Sequence, residues 1–122
     1  MRFISIWRPT TMQQPSETVQ QEMGQFMAEC ISKGVLLATE GFGPSSKSDL
    51  KVRLTHGELT VTDGPFSEAK EVIGGFAIMQ VKSREELLEW TRRFMKICGD
   101  GECEIHQLSE TSPIDMFKQH RS

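Results

Sequence analysis

No run of about eighteen apolar residues occurs in this chain, so its sequence predicts no transmembrane helix. A basic excess is missing as well. Against 17 Asp and Glu stand 14 Lys and Arg, and the formal charge of −3 argues against a nucleic-acid partner. The one cluster of cations, Arg92, Arg93 and Lys96, shares its segment with Glu85, Glu86 and Glu89, and reads as a solvated helix face. Cysteine is scarce. Cys30, Cys98 and Cys103 fit a reducing compartment, where they act as small core hydrophobes. Cys98 and Cys103 bracket Gly99-Asp100-Gly101, and only His106 stands near as a further ligand, so no metal site and no cofactor is expected. The first seven residues carry one charge and too short an apolar stretch for a signal peptide, which makes the cytoplasm the expected location. Repeats and low-complexity tracts are absent too. What is there is globular: 37% hydrophobic and 25% charged residues over 122 positions, enough for one domain with a single core.

The patterning alternates between strand and helix periods. Residues 2–7 place Phe3, Ser5 and Trp7 on one parity and Arg2, Ile4 and Ile6 on the other, as in a central strand with two covered sides. Pro9 ends that strand. Ser16 is a helix N-cap with Glu17 in the first turn, and Val19, Met23, Phe26, Met27, Cys30 and Ile31 form one apolar stripe. Gly34 is the stop. Residues 35–40 read as a short buried strand, and residues 41–46 as a loop. A hairpin follows, with Leu50, Val52 and Leu54 alternating against Lys51, Arg53 and Thr55, a turn at His56-Gly57, and a return through Leu59, Val61 and Asp63. Residues 72–81 form the next strand, whose Gly74-Gly75 pair signals a bulge or a close backbone approach. Ser83 and Glu86 make a capping box for a second helix, striped by Leu87, Trp90 or Thr91, Phe94, Met95 and Cys98. Residues 102–108 alternate as a last strand, and residues 113–117 close the chain as a short amphipathic segment.

This order of elements predicts an α+β fold, a ferredoxin-like βαβ-β-βαβ sandwich with both helices on one face of the sheet. The other face is left apolar and bare, and asks for a second subunit. Asp63 falls on the parity that carries the apolar residues of its strand, so alternation aims its carboxylate toward a core or cavity.

The run Val61-Thr62-Asp63-Gly64-Pro65-Phe66-Ser67-Glu68-Ala69-Lys70-Glu71 resembles the D-G-P-F signature of the YCII-related, or DGPF-domain, proteins. Ile73-Gly74-Gly75-Phe76, the Ser83–Trp90 segment and Glu102-Cys103-Glu104-Ile105 follow the family's order of elements. Ala69 stands where the family usually has threonine. The likeness spans residues 2–109 of a single domain covering 1–122, with a short segment 110–122 beyond it. It implies a bacterial protein forming a dimeric α+β barrel, in which two such sheets pack face to face. Superfamily members with this barrel include isomerases, lyases and cofactor-independent oxygenases of small organic molecules. Many DGPF proteins are encoded beside sigma factors of the extracytoplasmic-function class. Relatives outside the DGPF branch pair an aspartate with a histidine near the first helix. Here the histidines are His56, His106 and His120, so only Asp63 transfers from the motif.

Each candidate residue has two readings. Asp63 either caps its own turn or carries a proton in the cleft as general acid or base, and the two roles can coexist. His106, which alternates with Ile105 on the last strand, either stays an ordinary strand residue or faces the cleft as a candidate for the proton partner that the first helix lacks. Arg53 is a sheet-surface charge or an anion clamp, and Lys70 a surface ion-pair residue or a group that orients an anionic ligand. Trp7 and Phe76 are core or cleft wall. His56 reads as an exposed turn residue. Two functions stay open: a metal-free lyase or isomerase with an acid–base aspartate acting on a small organic molecule, and a non-catalytic ligand-binding or regulatory module of a sigma-factor system. The expected partner in both is a second copy of the chain, with no membrane.

Overall fold

The first strand, β1 (Arg2–Pro9), lies at the centre of a four-stranded sheet in the computed structural model, which describes residues 1–11, 14–42, 49–64 and 73–119. The helix α1 (Glu17–Ser32), the strand β2 (Leu36–Gly41) and a hairpin of β3 (Leu50–Thr55) and β4 (Glu58–Asp63) follow. Then come β5 (Gly75–Gln80), α2 (Arg84–Cys98), β6 (Gly101–Leu108) and a short α3 (Pro113–Gln119). The main sheet has the order β2-β5-β1-β6 with every neighbour antiparallel. Each helix therefore joins two strands that run the same way with a third between them, the split β-α-β arrangement. The chain is an α+β ferredoxin-like sandwich, as its periodicities predict.

Local chemistry fixes the ends. The Ser16 hydroxyl accepts from the Val19 amide at 3.3 Å and opens α1. At the other end, Gly34 takes φ +71° while its amide donates to the Ile31 carbonyl and the Val35 amide donates to Cys30. That pair of bonds is a Schellman closure, and it needs a residue free to go left-handed. Ser83 caps α2 by accepting from the Glu86 amide at 3.1 Å, while the Glu86 carboxylate reaches back to the Lys82 amide at 2.9 Å. The reciprocal bond of the expected capping box thus goes to the residue before the cap.

Packing separates the two faces of the sheet. Phe3, Ser5 and Trp7 point toward the helices, in register with Met79, Ala77 and Gly75 on β5 and with Gln107, Ile105 and Cys103 on β6. The core joins Phe3, Val35, Met79 and Val81 to Phe26 and Cys30 of α1 and Leu87 and Trp90 of α2. The helices meet through Phe26 and Trp90, with ring centroids 5.9 Å apart. Above them the Arg93 guanidinium grips Glu29 with two bonds of 2.6 and 2.9 Å and lies over both rings. The opposite face of the sheet shows Ile4, Ile6, Phe76 and Ile78, half-buried and facing away from the helices. In this chain β1 is covered on one side, where its two apolar parities predict cover on both.

The hairpin forms a sheet of its own. His56 at φ 52° and Gly57 at φ 79° make the two-residue turn with both centres left-handed, which matches the twist of the arms. Every residue of both arms is exposed. One sequence expectation shifts here. The strand expected over 72–81 spans Gly75–Gln80 among the described residues, and a register shift that the sequence did not announce lies in β2 between Leu36 and Ala38.

Candidate functional site

The helices do not close down fully on the sheet. Between them lies a cavity of about 450 Å³, within the range that small-molecule sites occupy. Its floor comes from β1, β5 and β6 through Ser5, Trp7, Ala77, Met79 and Cys103, and its roof from α1 and α2 through Met23, Phe26, Met27, Cys30, Trp90 and Phe94. Its rim runs over Pro15, Thr39, Glu40, Gly41, Gly74 and Gly75.

Glycine builds this cavity. A Cβ on Gly75 would stand 2.6 Å from the Glu40 carbonyl oxygen, and one on Gly74 would meet the Trp7 ring at 2.8 Å. On the far side, a Cβ on Gly101 would collide with the same indole and with the Arg8 carbonyl. Glycines at 74 and 101 thus leave room for the indole, which stands edge-on to Phe94 at 5.2 Å. The close approach predicted from Gly74-Gly75 is what the structure shows.

The polar groups inside are few and neutral. Burial pushes the Cys98 thiol up to about 11. It raises Cys30 and Cys103 as well, the latter pulled partly back by a hydrogen bond from Ser5. Thiols in that state are poor nucleophiles and poor metal ligands at neutral pH. Thr91 gives its hydroxyl to the Leu87 carbonyl and Thr39 to the Phe76 carbonyl, so both are spent on backbone. The chamber suits an apolar, ring-bearing molecule: aromatic walls offer faces and edges, and methionines adjust to shape. Among the described residues, no group of three or more His, Cys, Asp or Glu could hold a metal ion.

The residues singled out from the sequence are scattered over this frame. Trp7 lines the cavity floor. Phe76, paired with Ile6, lies on the other parity of the sheet, where its ring meets Phe42 at 6.2 Å, though it also borders the cavity rim. His106 sits opposite Ile4 on the helix-free face and lines no part of the cavity. Its Nε2 is 2.7 Å from Glu104 Oε2, and the other carboxylate oxygen accepts from Arg8 at 3.0 Å. The His106 hydrogen bond, reinforced by the Arg8 charge, holds the Glu104 carboxyl below the usual range.

Asp63 ends β4 across from Leu50, on the apolar side of the hairpin as alternation predicts. That side covers nothing in this chain, and Asp63 is exposed, where alternation had aimed it at a core or cavity. The amide of Gly64 donates to the Asp49 carbonyl at 2.7 Å, a cross-strand backbone bond one step beyond the Leu50–Asp63 pair. Arg53 faces Thr60 on the polar side of the hairpin, away from Asp63. Lys70 lies outside the described residues, as do Pro65 and Phe66. Sequence reasoning had no means to gather Met23, Phe26, Trp90, Phe94 and Cys103 into one wall. Each scored as core, and only the helix–sheet spacing reveals a chamber.

The model of the YCII-related domain matches residues 1–105. The chain belongs to the YCII-related family. No curated protein matches it. Among solved structures, a 5-chloro-2-hydroxyhydroquinone dehydrochlorinase from Burkholderia phenoliruptrix AC1100, in complex with 2,5-dihydroxybenzoquinone, is similar over 91% of this chain and 96% of its own, with 14% identity and a TM-score of 0.47. Among the described residues of this family member, no helix is long and apolar enough to cross a membrane.

Proposed function

We propose that this YCII-related protein binds a small, largely apolar organic molecule in the chamber between its helices and sheet, and turns it over by metal-free proton transfer of lyase or isomerase type. The 450 Å³ apolar cavity carries the binding half of this reading. The family motif around Asp63 carries the chemical half, with Asp63 as general acid or base. Asp63 is exposed on β4 and lines no part of the cavity in its own chain, so the chemical half needs the hairpin of a second copy to bring it to the ligand. The protein works as a homodimer, its helix-free sheet face against that of a second copy, because Ile4, Ile6, Phe76 and Ile78 otherwise face water.

One observation favours the second reading, a binding or regulatory module without turnover. Among the described lining residues there is no histidine, and Glu40, the one acidic member, sits on the exposed rim. A single experiment separates the two. A panel of neutral one- and two-ring aromatic compounds is screened by thermal shift, since a ligand of the native state at 100 times its Kd stabilises by about 2.7 kcal/mol. Each hit is then followed for chemical change with wild type and Asp63→Asn. Turnover lost in Asp63→Asn with binding retained supports the enzyme; binding without turnover in both supports the module. A panel in which nothing binds, or binding that survives Ala77→Leu on the cavity floor, removes the cavity from the account.

A further inference from the structure

Among the described residues the hairpin, like the short α3, has no interior. Its register places Leu50, Val52, Leu54, Leu59 and Val61 on a single side, and all five are between 54% and 68% exposed. A lone two-stranded ribbon is marginal in water, and one that shows five large apolar side chains on one face is built to be covered.

The chain offers its own means of covering it. Those five residues expose on the order of 500 Å² per hairpin, so two related by a two-fold axis bring about 1,000 Å², the size at which specific interfaces begin. The helix-free sheet face supplies a second apolar surface, with Ile4, Ile6, Phe76 and Ile78 at its centre and Leu37 and Phe42 exposed beside them. In a two-fold pairing the same apolar patch serves on both copies, so a second copy of the chain is enough to cover surface of this kind. Charge points the same way. The polar side of the hairpin mixes Lys51 and Arg53 with Glu58, and a chain of net charge −3 is not drawn to an anionic bilayer.

We propose that the β3–β4 hairpin is an intermolecular arm, whose apolar side packs on a second copy of this chain and carries Asp63 into that contact. Leu50 and Asp63 are cross-strand partners, so the acidic residue travels with the apolar set and lies where the two copies meet. The arm adds to the sheet-face pairing proposed above, and rests on that pairing only for the identity of the partner.

Sedimentation equilibrium of the full chain tests it. Leu54→Glu with Leu59→Lys removes the apolar tip while leaving an opposite-charge cross-strand pair to hold the ribbon. This double variant should dissociate with a Kd raised by at least about tenfold, equivalent to about 1.4 kcal/mol. Circular dichroism should show it folded, because neither residue touches the core. Thr60→Glu, on the other side of the arm opposite Arg53, should leave the Kd unchanged. Ile6→Lys probes the sheet face separately. If it leaves the dimer intact while the arm variant falls apart, the sheet-face reading fails and the arm stands. A double variant that associates as tightly as wild type overturns the arm, as does a Thr60→Glu variant that weakens equally. A wild-type chain still monomeric at about 100 μM also overturns it, and passes the surface to a partner of another kind.

Discussion

The two sheets of this chain are written in the same alternating code and end in opposite surroundings. In β1, the parity of Phe3, Ser5 and Trp7 meets two helices and becomes the floor of the cavity. In β3 and β4, the parity of Leu50, Val52 and Leu54 meets water. Period-two patterning decides which side chains share a face, and nothing in it says what covers that face. Cover comes from the helices, whose stripes are long enough for one face of one sheet. What they leave over, the far side of the main sheet and the apolar side of the hairpin, stays half-exposed or exposed in the single chain.

That contrast can be broken most directly by deletion on each side. Trp90→Ala removes a ring that packs against Phe26 and under Arg93, and should cost about 3–5 kcal/mol in urea unfolding. Leu54→Ala, measured where the chain is monomeric, should stay within about 0.5 kcal/mol of wild type, as exposed positions do. Equal losses at the two sites would show that the arm packs within its own chain.

Glycine tests the floor next. Gly101→Ala puts a methyl against the Trp7 indole and the Arg8 carbonyl and should cost about 1–3 kcal/mol. It should also shift the near-ultraviolet circular dichroism of Trp7. A variant as stable as wild type would mean that the indole moves freely and the cavity has no fixed floor.

The smallest effect lies on top of the helices. Two hydrogen bonds from Arg93 hold the Glu29 carboxyl down to about 2. Its folded value lies below the unfolded one, so its contribution is fully present above the ordinary value near 4.5. That contribution is lost as pH falls from there toward 2. Both side chains are partly solvated, and the gain is correspondingly modest. Glu29→Gln should flatten that acid limb of a stability-versus-pH curve, lying modestly below wild type at pH values above about 4.5 and converging on it as pH falls toward 2. An acid limb unaltered by the substitution would assign it to other carboxylates.

Much of the fold was legible because single residues specify its ends. Ser16 and Ser83 announce helix starts, Gly34 a left-handed stop, and His56-Gly57 a two-residue turn; each is observed in that role. The sandwich order follows from two helical stripes set among strands. The site was less legible, for a physical reason. Trp7 and Phe76 both read as wall, yet adjacent register positions put Trp7 beneath the helices and Phe76 on the far face. His106, a candidate for a cleft between two packed sheets, sits with Glu104 and Arg8 on that helix-free face. A cavity is a spacing between layers, and no single sequence position encodes it. Asp63 illustrates the remaining gap: alternation chose its side of the strand correctly, and the environment of that side depends on what packs there.

The account rests on the chamber under the helices, and fluorescence reaches it most directly. Trp7 and Trp90 are the two tryptophans of the chain and both line the cavity. Titration with a neutral aromatic hit should change their emission saturably in wild type, and Ala77→Leu, which fills the floor, should abolish the change while the protein stays folded. A saturable response that persists unaltered in Ala77→Leu, or its absence with every compound of the panel, would contradict the account.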